Sequence, residues 1–410
     1  MKKLLLVLLI LSLFINHLNA NEKDLQIIQK DKKEYRLLDK ESIQTRQQSQ
    51  KYDWISPIDL SGNIGRNHSF SDENSRNLNN KNTKSASIGF TQSIFESGGI
   101  GFKMDYADNR FKYEMLSWEN QNSQLIYTIY NTLLDIKKLN LEIKQNEYRI
   151  VNKDIELIIK KIQYEAGKTD IIELNNAIMS KNLILKEEIA LKNSLKEKEQ
   201  ELAKYTDLKY DEIEILDFQE TNKDIFLDKN YSILEADAKV EMLNSEYKIK
   251  KSQYLPKLSL SAKASYSNQD EKFNSMINDT NKDDASSSGS LILSMPLYDY
   301  TKSSKIQESK IEVLKQKALV NDLKNETAFE YEQIFTKIDT YLKQNETINK
   351  NIKLYEELIG ANQISSEAGM TSKYDLEILE NTKTINEFDI LINKINILQQ
   401  YAKLYFKIKN

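Results

Sequence analysis

Few side chains in this 410-residue chain have a capacity for chemistry, and those that recur at matched places are carboxylates. Glu173 and Asp375 each follow a glycine by six residues, in Glu165-Ala166-Gly167 and in Glu367-Ala368-Gly369. From the residues alone each reads as a first-turn acid, held by the positive end of a helix that starts after the glycine.

Catalysis has little else to draw on. The chain has two histidines, and His68 falls in a polar stretch that reads as a solvated loop. No glycine-rich loop opens a helix, and neither a nucleophile elbow nor a metal-spaced ligand cluster occurs. There is no cysteine, which removes disulfides, thiolate metal sites and a lipid-bearing cysteine. The expectation is a protein that is not an enzyme, with no catalytic, cofactor-binding or metal residues and no cofactor.

The two triplets lie 202 residues apart, each between long runs of helical periodicity. Glycine there reads as the residue that ends a helix, because it takes positive φ without steric cost. The chain therefore reads as two copies of a helical hairpin, a duplicated domain rather than a solenoid. Only three prolines and ten glycines punctuate it. From Phe102 to Ala166 neither occurs, and one helix over that run would be about 100 Å long. Within it, Ile129, Ile136, Ile143, Ile150, Leu157 and Tyr164 recur every seven residues, as do Tyr127, Leu134, Leu141, Tyr148, Ile155 and Ile162. The two series sit roughly 200° apart around a helix. Two opposed seams suit a helix with a neighbour on each side, as in a curved helical wall. Lys137, Lys138, Lys144, Asn152 and Lys160 are left for water. The second copy shows one such series, Val313, Val320, Thr327, Ile334, Tyr341, Ile348 and Tyr355.

Ahead of each hairpin the period changes to two, the mark of strands. Ile58, Leu60, Gly62 and Ile64 alternate with polar residues, as do Ala86, Ile88, Phe90 and Ile94. In the second copy the apolar sets are Leu258, Leu260, Ala262, Ala264 and Tyr266, then Leu291, Leu293, Met295 and Leu297. Polar loops are expected at 67–84 and 268–288. About ten residues of such alternation suit an outer-membrane strand, with a soluble sheet as the other reading. Four strands cannot close a barrel alone, so several chains must contribute.

Met1-Lys2-Lys3, the uncharged run Leu4 to Ile15 and Ala20 read as an export signal over 1–20. Its loss takes the net charge from −4 to −6 by removing two lysines, and nothing favours nucleic acid. No later run is apolar enough for a membrane helix, so any membrane entry must be as a β-barrel. The expected organisation is an N-terminal helical segment 21–56, a β-hairpin 57–96 and a helical hairpin 97–205. A linker at 206–228 and a helix at 229–255 then lead to a second β-hairpin 256–299 and a second helical hairpin 300–410. The fold class is mainly α with a small β part.

Taken in order, these motifs resemble the TolC family of outer-membrane channels. The matching stretches are Leu255-Pro256-Lys257-Leu258-Ser259-Leu260-Ser261 entering a strand and Ser294-Met295-Pro296-Leu297-Tyr298-Asp299 leaving one. Phe95-Glu96-Ser97-Gly98-Gly99 is similar to the exit in the first copy. Tyr164-Glu165-Ala166-Gly167 and Ser366-Glu367-Ala368-Gly369 resemble the hairpin tips. The segment before Pro57 departs from the family's alanine-rich helix, and Tyr300-Thr301 replaces its glycines. The resemblance implies a homotrimer with a twelve-stranded barrel in outer-membrane lipid, continued by a periplasmic α-helical barrel. It implies the exit duct of a tripartite efflux pump or type I secretion system, working with a periplasmic adaptor (membrane fusion) protein and an inner-membrane transporter. Gly167 and Gly369 then mark the adaptor-contact tips, and Glu173 and Asp375 ring the periplasmic aperture. Asp375 matches a family acid, while Ile378 stands where some members carry another. The alternative is an exported, elongated coiled-coil scaffold or adhesin without channel activity.

Overall fold

The structure is a computed structural model, and it describes residues 25–70, 78–216, 218, 220–270, 282–367 and 372–409. The expected export signal 1–20 and the tip residue Gly369 lie outside the described residues. In chain order the elements are α1 (Lys30–Tyr52), β1 (Asp59–Phe70), β2 (Leu78–Phe95), α2 (Gly99–Glu165) and α3 (Ile171–Leu202). They continue as α4 (Lys223–Asp228), α5 (Tyr231–Ser252), β3 (Lys257–Asp270), β4 (Lys282–Ser294), α6 (Lys302–Glu367) and α7 (Lys373–Phe406). The chain is mainly helical with one small sheet, and the run from Phe102 falls in a single 67-residue helix, α2, which starts at Gly99.

Two compact units are built from interleaved segments. One contains Glu41–Met115 and Ala236–Val320. Here β1, β2, β3 and β4 form an antiparallel meander in that order, leaving β1 and β4 as the edges. The chain leaves β2 through Ser97 and Gly98 at positive φ (51° and 88°). Ser97 Oγ donates to Pro256 O at 2.7 Å, tying this exit to the start of β3. A Cβ on Gly99 would meet Ser252 Oγ at 2.8 Å, so the helix start needs glycine for close approach. Ion pairs Arg46–Glu114 (2.9 Å) and Lys112–Glu241 (2.8 Å) hold α1 and α5 against α2.

The strands run deeper into the polar stretches than their apolar alternation. β1 reaches Phe70, β2 starts at Leu78, and His68 pairs with Asn80 instead of lying in a loop. Backbone ladders need only amides and carbonyls, so polar side chains continue a strand where neighbours supply both. Asn268 Nδ2 donating to Asp283 Oδ1 at 2.6 Å shows such a polar pair.

The other unit contains Leu116–Glu235, Asn321–Asn410 and the segment up to Lys40. Each repeat is closed at its base by main-chain hydrogen bonds. Gln29 N donates to Tyr205 O at 2.8 Å in the first, and Tyr231 N donates to Lys407 O at 2.9 Å in the second. The 206–228 stretch, expected as a linker, carries core residues. Phe226 is fully buried among Ile334, Ile338, Leu404 and Ile408, and Phe218 packs edge-on against Tyr130 and Phe406.

A buried arginine pins α1. Arg36 donates to Asn122 Oδ1 (2.6 Å), Gln121 Oε1 (2.9 Å) and Trp118 O (3.0 Å), while Trp118 Nε1 returns a bond to Arg36 O at 2.8 Å. Burial pulls the guanidinium below its ordinary pKa, with Asp39 opposing that shift. Arg36→Ala leaves the buried Asn122 Oδ1 without its donor, at a cost of about 1–3 kcal/mol. In a Trp54→Phe background, where Trp118 is the remaining tryptophan, its denaturant midpoint should fall accordingly. An unchanged midpoint refutes the pin.

Candidate functional site

At the first hairpin tip, Gly167 has φ +67° and ends α2. Gly167 N donates to Tyr164 O at 3.0 Å and Lys168 N to Gln163 O at 2.8 Å, the pair of bonds that defines a Schellman cap. Three residues on, Asp170 caps α3 by accepting from Glu173 N at 2.9 Å. The second hairpin restarts in the same manner, with Ser372 Oγ accepting from Tyr374 N at 3.2 Å. Glu173 and Asp375 thus occupy equivalent places, the third residue after a cap, where the helix dipole favours a carboxylate. Their surroundings differ. Glu173 pairs with Lys160 across its own hairpin at 3.0 Å, whereas Asp375 is exposed and has no ion pair among the described residues. Gly167 is described, and Gly369 lies outside the described residues.

Above the tips α2 has a partner on either side, as its two seams require. Toward α3 it makes the ion pair Arg149–Glu187 (3.6 Å), and Asn146 Nδ2 donates to Ile184 O at 3.3 Å. Toward α7, Gln145 Nε2 donates to Ile385 O (2.9 Å) and Asp389 Oδ1 (2.7 Å). Asp135 is held from both sides, by Gln399 Nε2 of α7 at 2.7 Å and Lys198 Nζ of α3 at 3.4 Å. Ile129, Leu134, Ile136, Ile143 and Ile155 are buried along these seams. Asn152, read from the sequence as a water-facing residue, is buried. It accepts from Asn381 Nδ2 at 2.9 Å and donates to Thr382 Oγ1 at 3.3 Å, because α7 arrives on that face. α6 packs on α7, with Lys383–Glu356 at 2.9 Å. The outer helices α3 and α6 leave large apolar residues exposed, among them Ile172, Met179, Leu183 and Ile189 on one and Phe329, Leu342, Leu354 and Ile364 on the other.

The sheet is two-faced. One face carries Leu60, Ile64, Ile88, Phe90, Leu260, Ala262, Ala264, Tyr266, Leu291 and Leu293. Its larger members are exposed, Leu60 to 79% and Leu293 to 73%, which is costly in water for residues of this kind. The opposite face is lined by hydroxyls. Ser61, Ser87, Ser265 and Ser286 form one row across all four strands, with Oγ–Oγ bonds of 2.8 Å (Ser61–Ser87) and 2.9 Å (Ser265–Ser286). No described helix is long and apolar enough to cross a membrane.

The family model for outer membrane efflux proteins matches residues 224–403. The chain carries an outer membrane efflux protein domain. A likeness of fold to solved outer-membrane channels spans nearly the whole chain, in keeping with the TolC-family resemblance read from the motifs. The outer membrane protein VceC of Vibrio cholerae superposes with a TM-score of 0.72 at 12% identity, over 94% of this chain and 93% of that one. The CmeC outer membrane channel of Campylobacter jejuni gives 0.70 at 12% identity, covering 92% and 84% respectively. The open-state MtrE outer membrane channel of Neisseria gonorrhoeae gives 0.65 at 11%, covering 94% and 87%. At these identities the likeness is one of fold. No curated protein matches the chain in sequence.

Sequence reasoning passed over Glu330. Burial raises its carboxyl pKa, but hydrogen bonds from Lys403 and Lys407 outweigh burial and hold it below its ordinary value. A depressed carboxyl stabilises the fold above the unfolded pKa and loses that contribution as pH falls through the folded value. The thermal midpoint should therefore drop on acidification below about pH 4.3, and Glu330→Gln should flatten that drop. Equal acid sensitivity in both proteins would count against the assignment. At the tip, Gly167→Ala forces a Cβ into positive φ at about 1–2 kcal/mol. Amide exchange at Gly167 and Lys168 should accelerate, while the sheet amides keep their protection.

Proposed function

We propose that this chain is the outer-membrane exit duct of a tripartite efflux pump, conducting solutes passively as a homotrimer. The observation that carries the reading is the four-stranded sheet with two open edges, apolar on one face and hydroxyl-lined on the other. Open edges demand hydrogen-bond partners, and a membrane admits a sheet only when its ladder closes. Joining β4 of one copy to β1 of the next, three times over, closes twelve strands with the apolar face toward lipid and the hydroxyls toward water. The nine residues from Leu258 to Tyr266 suit the roughly 9–11 that a tilted spanning strand needs. The exposed apolar sides of α3 and α6 would meet in the same arrangement and continue the tube into the periplasm. The tips at Gly167 and Gly369 would then face the periplasmic adaptor and, through it, the inner-membrane transporter. A type I secretion duct would use the same architecture with a different transporter.

A scaffold or adhesin accounts less well for the sheet, because it leaves both edges and the apolar face in water. Membrane fractionation, native mass measurement and planar-bilayer recording test the two together. The duct requires an outer-membrane fraction, a mass of three chains and single-channel conductance. A monomer soluble without detergent overturns it.

For the aperture, Asp375 has no ion pair among the described residues, and Glu173 is partly neutralised by Lys160. Asp375→Ala should weaken cation preference in a salt gradient more than Glu173→Ala does. Unchanged selectivity in both variants would leave the acids as helix-dipole partners alone.

A further inference from the structure

The hydroxyl-lined face holds one row unlike the others. Asp59 pairs with Gly89, Gly89 with Lys263, and Lys263 with Ser288, so the four lie side by side across the sheet. Asp59 and Lys263 point to the same face from strands two apart, about 10 Å between backbones. Gly89 sits between them with no side chain. A Cβ there would meet Ala262 O at 2.9 Å and Lys263 Cα at 3.3 Å, so the sheet packs too closely at this point for any other residue. The result is a recess of about 430 Å³ with a carboxylate at one end and an ammonium at the other. Its sides are hydroxyls, Ser61 and Ser87 toward one neighbouring row and Thr91 and Ser261 toward the other. Neither charged group has an ion pair among the described residues, and both are exposed.

Two opposite charges held apart over a gap present a dipole rather than a net charge. A simple ion gains from one end and loses at the other, whereas a solute carrying both charges gains at each. The surrounding hydroxyls donate or accept as the solute requires. The volume falls in the range of small-molecule sites.

We propose that Asp59 and Lys263, spaced by Gly89, form a dipolar subsite that holds a small zwitterionic solute. The solute's carboxylate lies on Lys263 and its ammonium on Asp59. In the duct this row would repeat three times around the wall, giving an alternating ring that retards zwitterions and leaves simple salts little affected. The role as a lumen site rests on the duct reading, while occupancy of the recess does not.

The test uses 6-aminohexanoate as probe, with hexanoate and hexylammonium as singly charged controls, on the full trimer in planar bilayers. The zwitterion should reduce single-channel current more than either control. Raised salt should weaken the effect, since exposed charges are screened beyond about 10 Å at 0.1 M. Lys263→Gln and Asp59→Asn should each weaken the block about two- to fivefold, the range that an exposed ion pair supplies. The exchange Asp59→Lys with Lys263→Asp should restore it, because the dipole is kept and only reversed. Equal block by the controls, or block unchanged in both single variants, overturns the proposal. Equilibrium dialysis of the same compounds against detergent-solubilised protein reads the recess directly. If bilayers carry no current but dialysis shows the expected ranking, the duct reading fails and the subsite stands.

Discussion

The backbone of a four-stranded sheet has two ladders more to satisfy than it can satisfy itself. β1 and β4 end the meander, and each presents a row of amides and carbonyls with no partner strand among the described residues. Among soluble proteins such edges are shielded by charge, bulges or a covering helix. Here the edge strands also carry large apolar residues, Leu60, Ile64, Leu291 and Leu293, and these are exposed. The proposed duct would resolve the combination of free edges and an apolar face by pairing in a bilayer, where an unmet backbone group costs several kcal/mol. The separation of hydroxyls onto the other face suits the same arrangement.

The helices answer the same requirement with side chains. α2 lies between α3 and α7, and its inner contacts mix buried isoleucine and leucine with amides that bond across the seam, such as Gln145 to Asp389 and Asn152 to Asn381. Amide pairs of this kind fix register, because a shift of one turn leaves each buried amide unmatched. The edge helices carry their apolar residues outward in the single chain, repeating for helices what the sheet does with its open ladders. In the proposed duct both are completed in one way, by another copy of the same surface.

Much of this was legible in order along the chain. Period two and period seven separate strand from helix without knowledge of what either touches, so the mainly helical class and the small sheet could be read directly. The two opposed seams of Ile129 and Leu134 also foretold that α2 has a partner on either side. Strand ends were less legible. β2 begins at Leu78, within a polar stretch whose pairing depends on the backbone opposite, and side-chain pattern carries no record of that. Arg36 was invisible for a related reason. Its partners Trp118, Gln121 and Asn122 lie more than eighty residues away, and nothing local distinguishes a buried arginine from a solvated one.

By itself the sequence determined the periodicities, the turn at Gly167 and the repetition of one plan, since each is written in local residue patterns. Only the tertiary structure decided which polar residues are buried, that Glu173 pairs with Lys160, and that Asp59, Gly89 and Lys263 share one row. Those facts depend on strand register and helix pairing, which join residues far apart in sequence, and backbone geometry sets that pairing as much as side-chain type does.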